Sequence, residues 1–245
     1  MKLTFRFDRE PADVDELLEQ FGKRWVKLPD DLRRLLSNLF LHFMKCAAWP
    51  AIEDVGIGFP EKSLNGVKEL AEQAVRMGFL QRDIGKEHYG TCLWIGSDPT
   101  RHEVQVENGS TVYAGCALDA LWVFSFTSES GIIRSACPHC GAKLSVWFER
   151  GKIVKWEPQG ILLFLGVKMV GGGGSGELGC PFINLFPGPE HVHAWRSKTP
   201  DVDGVLLTKE ETEKLARVVA SRQEMVTLEF GKGRSTKGQE TDFEK

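Results

Sequence analysis

Apolar residues recur at helical spacing in several stretches of the first eighty residues. Val14, Leu17, Leu18 and Phe21 fall on one face of a segment from Asp13 to Phe21. Leu32, Leu35, Leu36, Leu39 and Phe40 do the same after Pro29-Asp30-Asp31, a run suited to starting a helix. This helix is expected to reach about Ala48, because the residue before Pro50 is biased out of the helical region. Leu64, Val67, Leu70, Ala71, Ala74 and Val75 mark another helix, with Gly78 placed to end it. Leu80–Asp83 and Thr91–Ile95 read as short strands around a turn containing Gly85 and Gly90. Helices followed by a hairpin predict a winged-helix-like unit.

Beyond Gly96 the period shortens. Val104-Gln105-Val106 alternates, Ile132–Ser135 reads as extended, and Leu144, Val146 and Phe148 alternate with polar partners before Gly151 turns the chain into Lys152–Trp156. Ile161–Val167 reads as an interior strand, as do Phe182, Ile183, Leu185 and Phe186. Between these strands lies YAGCALDALW, whose apolar spacing is helical. Thr208 and Glu211 have the spacing of a capping box opening a last helix that runs on through Leu215 to Met225. The fold class expected is α+β: an N-terminal winged-helix-like helical domain followed by a mixed α/β domain. The boundaries expected are an N-terminal helical extension over 1–27, the winged-helix-like domain over 28–97, a catalytic or binding domain over 98–230, and a polar, disordered tail over 231–245.

Charge narrows the classes. With 31 basic and 34 acidic residues the formal net charge is −3, so sequence-independent nucleic-acid binding has little electrostatic support. The most apolar run, Ile161–Val170, is broken by Gly166 and Lys168 and is too short to span a bilayer. The N-terminus, MKLTFRFDREP, becomes charged where an export signal needs its apolar stretch. A soluble cytoplasmic protein without a membrane partner is expected.

The chain carries six cysteines, which in that compartment read as free thiols or metal ligands rather than disulfides. Cys46 and Cys92 sit among apolar neighbours and read as inert core residues. Cys116 and Asp119 lie three apart in the helical run, placing a thiol beside a carboxylic acid on one face. A helix N-terminus would stabilise the Cys116 thiolate. The surround of Tyr113, Ala117, Leu118 and Trp122 would raise the pKa of Asp119. The plainer alternative is an inert buried cysteine next to a capping aspartate. Cys137 and Cys140, in SACPHCG, can share one metal or bond to each other. Zinc is the candidate metal, but two ligands are missing, and His139, His191, His193 and Cys180 are only distant candidates. A redox pair, or no function at all, remains an alternative. Cys180 stands where the glycine run Gly171–Gly176 meets an apolar strand, and the run reads either as a plain surface loop or as a lid over a cysteine site. His191 and His193 alternate about Val192 and would share a side, exposed after Pro189-Glu190.

TVYAGCALDALW resembles the nucleus of the organomercurial (alkylmercury) lyase family, and the similarity continues through the Cys137 region, KWEPQG at Lys155–Gly160, and Cys180 with Phe186 and Trp195. This resemblance implies that Cys116 and Cys180 are the thiolates that grip mercury and that Asp119 handles the proton. It implies protonolysis of a carbon–mercury bond, giving a hydrocarbon and Hg(II) as bound product, without an organic cofactor. The implied partners are an organomercurial substrate and low-molecular-weight thiols or a mercuric-ion acceptor protein. The chain departs from the family pattern at Gly115, where better-known members have Trp. It also departs at Pro181, where some have a further Cys, and at Cys140, which completes a pair not typical of the family. The alternatives are a non-catalytic, thiol-based protein that binds soft metals at Cys116, Cys180, Cys137 and Cys140, and a metal-sensing regulator.

Overall fold

The computed structural model describes residues 25–27, 29–77, 80–83, 88–91, 95–169, 176–221 and 225–227. The segment Asp13–Phe21, Gly78, Gly85, Cys92, the glycine run over 171–175 and the tail over 231–245 lie outside the described residues. An N-terminal helical region is followed by a mixed α/β sheet domain, as the hydrophobic periodicity predicts.

The N-terminal region begins with β1 (Trp25–Lys27), followed by helices α1 (Asp30–Cys46), α2 (Ile52–Gly56) and α3 (Leu64–Arg76) and strands β2 (Leu80–Asp83) and β3 (His88–Thr91). Ser63 caps α3, accepting a hydrogen bond from the Gly66 N–H. Strands β2 and β3 pair antiparallel from Leu80↔Thr91 to Asp83↔His88, so Gly90 lies in a strand rather than in the turn. Leu32, Leu35, Leu39, Ile52, Val55, Phe59, Val67, Ala71 and Ala74 form one apolar core with Leu80 and Tyr89. Cys46 is exposed at the end of α1 rather than buried, because it lies off the face on which Phe43 and Met44 of the same turn are buried.

The second region is built on two antiparallel sheets. Strands β4 (Ile95–Gly96), β5 (His102–Val106), β6 (Thr111–Ala114), β7 (Gly131–Ala136), β8 (Lys143–Glu149) and β9 (Lys152–Glu157) form a six-stranded sheet in the order β4-β6-β5-β7-β8-β9. Its alternation is visible in β8, where Leu144, Val146 and Phe148 are buried. Arg150 and Gly151 both take positive φ in the β8–β9 hairpin, as a two-residue turn of right-handed twist requires. Strands β10 (Leu162–Met169), β11 (Gly176–Phe186) and β12 (Val202–Leu207) form a three-stranded sheet with β10 in the middle, which explains its nearly continuous apolar run.

Helix α4 (Ala117–Thr127) lies between the sheets, contacting β5, β6 and β7 on one side and β11 on the other. It is buried all round, including Ala117, Leu118, Ala120, Leu121, Trp122, Val123 and Phe124, as a helix without a polar face must be. Phe124 stacks on Phe148 with ring centroids 4.2 Å apart. Two further helices complete the region, α5 (Pro189–Arg196) and α6 (Lys209–Ser221). The capping box at α6 is reciprocal: Glu211 N–H donates to Thr208 Oγ1, and Thr208 N–H donates to a Glu211 carboxylate oxygen at 2.7 Å. Met225, expected to extend this helix, instead begins β13 (Met225–Thr227), which pairs with β1.

The chain divides into two compact units by contacts. One contains Leu41–Ala48 and Trp94–Gln223, and with them both large sheets. The other contains Arg24–Phe40, Trp49–Leu93 and the strand β13.

Candidate active site

Cys116 is not inside α4 but is its N-cap, with extended backbone at φ −150° and ψ 171°. Its sulfur accepts the Asp119 N–H at 3.4 Å, as a serine would at this position. Asp119 is the third helical residue, so its carboxylate reaches back over the cap, and the Cys116 thiol donates to Asp119 Oδ2 at 3.1 Å. The short Cys-x-x-Asp motif is thus a capping box whose acceptor is sulfur and whose returning carboxylate takes the thiol proton. Both residues are buried, at 1% and 5% exposure.

The third member comes from the other sheet. In β10 and β11, Leu165 pairs with Ile183 but Val167 pairs with Leu178, so Gly166 alone stands opposite the stretch Gly179–Phe182. This is a bulge in β11, and it turns Cys180 out of the ladder. Pro181, which has no N–H to offer a ladder, sits in the bulge, and Asn184 Nδ2 donates to the Pro181 carbonyl at 2.9 Å. Gly166 accommodates the bulge: a Cβ there would collide with the Phe182 carbonyl oxygen and lie 2.6 Å from Phe182 Cβ. The half-buried Cys180 thiol thereby donates to Asp119 Oδ2 at 3.5 Å. The ligand atoms of Cys116, Asp119 and Cys180 all lie within 4.8 Å of one another.

Burial sets the electrostatics. It pushes the Asp119 carboxyl up to about 6, against the hydrogen bonds from the Cys116 and Cys180 thiols that favour the ionised form. The Cys116 thiol goes well above its usual range, first through burial and then through its hydrogen bond to Cys180 and the neighbouring Asp119 charge. The helix N-terminus alone would predict a depressed Cys116 pKa. The Asp119 N–H does favour the thiolate, but desolvation of a fully enclosed sulfur outweighs it. At neutral pH the resting site therefore sets the protonated Cys116 thiol against the Asp119 carboxylate, with the Cys180 sulfur 3.5 Å from the same oxygen. It is a ready base facing latent soft ligands.

The Cys137–Cys140 pair belongs to a separate cluster. It occupies the β7–β8 turn, with His191 as third member, and these ligand atoms too lie within 4.8 Å of one another. The four cysteines expected to bind metal therefore divide into two pairs. His191 and His193 do not share a side: Gly188-Pro189 opens helix α5 here, and residues two apart on a helix diverge. His193 is exposed, whereas His191 reaches Cys140. A proline following glycine and leading an acidic residue is the local signal that could have marked this helix, whose short length leaves no periodic one.

A further polar network links the sheets. His102 is buried on β5, its Nδ1 2.9 Å from Ser135 Oγ on β7, and it also bonds Asn184 on β11. Arg101 donates to Asn184 Oδ1 at 3.0 Å. Burial, reinforced by the Arg101 charge, lowers the His102 pKa to about 4, so the ring is neutral. The position of His102 in an alternating strand carries no sign of this role, because its partners come from distant strands.

Among the described residues the paired strands of this domain are all antiparallel, and two thiols and an acid gather at the start of its central helix, a site suited to a soft metal. Residues 95–221, slightly more than half of the chain, match the MerB alkylmercury lyase family, and the chain belongs to that family. The fold is similar to the crystal structure of the mercury-bound form of MerB2, with a TM-score of 0.59 and 18% identity over 87% of this chain and 99% of that one. A curated relative, the ribosomal RNA large subunit methyltransferase K/L of Pseudomonas putida (strain W619), is 24% identical over 165 residues. That match takes in 65% of this chain and 23% of the relative, so the chain spans about a quarter of that protein's length.

Proposed function

We propose that the protein is an organomercurial lyase, cleaving carbon–mercury bonds by protonolysis at Cys116, Asp119 and Cys180. The observation that carries this reading is the convergence of two thiols on one buried carboxylate oxygen, at 3.1 and 3.5 Å. A soft R–Hg⁺ unit, delivered as its thiol adduct R–Hg–SR′, is matched by thiolate sulfur far better than by oxygen or nitrogen. Asp119 takes the Cys116 proton as that sulfur bonds mercury and hands it to the departing R′S⁻, which leaves as R′SH, so that Asp119 is ionised again. The second sulfur, Cys180, then adds to mercury, and its proton passes through Asp119. Two thiolates push electron density onto the metal-bound carbon, and that carbon leaves with a proton from Asp119 as R–H. The balance is R–Hg–SR′ plus two protein thiols giving a bis-thiolate Hg(II), R–H and R′SH. Small thiols or a mercuric-ion acceptor protein then remove the metal.

In this reading the catalytic domain expected over 98–230 ends before β13, and 28–97 is a winged-helix-like domain without nucleic acid as partner, in a cytoplasmic mercury-resistance enzyme. Nothing in the site favours methyl transfer. Among the described residues every paired strand is antiparallel, whereas open sheets that hold a nucleotide cofactor are built on parallel crossovers.

The test is hydrocarbon release from methylmercury and phenylmercury in excess thiol, followed by headspace gas chromatography. Asp119→Asn is expected to keep stoichiometric mercury binding but lose turnover by about 10²–10⁴-fold, the scale of a positioned acid–base group. Cys116→Ser and Cys180→Ser are each expected to lose turnover. Mercury binding by the unaltered protein with no hydrocarbon released would leave a thiol-based metal-binding protein instead.

A further inference from the structure

The Cys137-Pro138-His139-Cys140-Gly141 turn is shaped in a way that the lyase reading does not use. Cys137 N–H donates to the Ala142 carbonyl and Gly141 N–H to the Cys137 carbonyl, both at 2.9 Å, closing a tight loop between β7 and β8. Gly141 takes φ +75°, which lets the chain reverse immediately after the second sulfur. The backbone amides of Cys140 and His139 are directed at the Cys137 sulfur. These amides aimed at a sulfur are what a metal-bound thiolate accepts.

A third ligand arrives from α5. His191 Nδ1 lies 3.4 Å from Cys140 Sγ. A tetrahedral zinc ion with ordinary Zn–S and Zn–N bonds would hold sulfur and nitrogen about 3.5 Å apart. The other ring nitrogen, Nε2, lies 3.5 Å from a Glu190 carboxylate oxygen. A carboxylate on the far nitrogen is the usual way a metal-bound imidazole is oriented. His139 adds an edge-to-face contact to His191 at 5.9 Å. Its buried Nδ1 has no hydrogen-bond partner among the described residues.

We propose that Cys137, Cys140 and His191 form a second metal site, separate from Cys116, Asp119 and Cys180, that binds Zn(II) with its fourth position open to solvent. Cys140 is exposed, so the ion enters from outside and water completes its shell. Two thiolates with one imidazole favour a borderline d¹⁰ cation over the hard cations that take oxygen. The ion ties the β7–β8 turn to the helix that follows β11, joining segments 51 residues apart in sequence. A cross-link of that kind stabilises the native state by mass action.

The experiment uses the full chain, purified under reducing conditions and titrated with Zn(II) alone. Metal content is read by mass spectrometry, the ligand set by Co(II) absorption, and stability by Tm with and without zinc. About one zinc per chain is expected, with thiolate-to-cobalt charge-transfer bands and a zinc-dependent rise in Tm. Cys140→Ser and His191→Ala, both outside the buried core, should weaken zinc at least about tenfold and abolish the Tm rise. Glu190→Gln should weaken it less. The double variant Cys116→Ser/Cys180→Ser should bind zinc as the unaltered protein does, which keeps this outcome independent of lyase activity. Zinc affinity unchanged in both single variants, lost in the double variant, or absent from the unaltered chain would overturn the assignment.

Discussion

Asp119 is buried and accepts hydrogen bonds from two thiols. Below about pH 6 it is a carboxylic acid and cannot take the Cys116 proton, while burial holds the Cys116 thiol itself well above its usual range. Single-turnover capture of phenylmercury is therefore expected to rise as pH passes upward through about 6 and then to level. Asp119→Asn should flatten this profile, and an inflection that survives the substitution would assign the base elsewhere. Exposure predicts a second residue-scale outcome. Brief alkylation of the metal-free protein at neutral pH, followed by peptide mass spectrometry, should label Cys46 and Cys140 well before Cys116, since the first two are exposed and the third is enclosed. Early labelling of Cys116 would contradict the electrostatics described above.

At the scale of elements, the site depends on one irregularity. A regular β11 would keep Cys180 paired in the ladder, so the bulge opposite Gly166 carries the geometry. Gly166 and Gly204 face each other across β10 and β12, and a Cβ at Gly204 would meet the Leu165 carbonyl oxygen and come 2.8 Å from the Phe164 ring. Gly166→Ala is expected to cost about 1–3 kcal/mol by overpacking and to impair mercury capture through Cys180. Chemical denaturation and capture kinetics would check both. Native stability in that variant would mean that the bulge relaxes freely. The alternation of β8, the interior run of β10 and the capping box of α6 were readable because each rests on local period or local hydrogen bonds. Helix α5 was not, because a short helix of mixed polarity leaves little periodic trace.

Across the whole molecule, two buried groups pull stability in opposite directions. His102 falls from 6.5 to about 4, so its contribution is complete above pH 6.5 and is lost as pH falls toward 4. Asp119 rises from 3.8 to about 6, so its contribution is complete below pH 3.8 and is lost as pH rises through 6. Each shift corresponds to roughly 3 kcal/mol, and between about pH 4 and 6 they largely offset. Asp119→Asn removes one of them. Its unfolding free energy should climb more steeply with pH over that window than that of the unaltered protein, as urea titrations at several pH values would show. Parallel profiles would mean that Asp119 does not titrate on its own in the folded state.

The sequence by itself determined the α+β order, most strand positions, and the Cys116–Asp119 unit, because a cap and its third residue are neighbours along one turn. Its resemblance to the alkylmercury lyases also singled out Cys180. Tertiary structure alone decided that Cys180 meets Asp119, that Cys137 and Cys140 stand apart with His191, and that desolvation overrides the helix N-terminus at Cys116. Those outcomes depend on which distant segments share a volume and on how much water is excluded from it. Neither quantity is written in the spacing of residues.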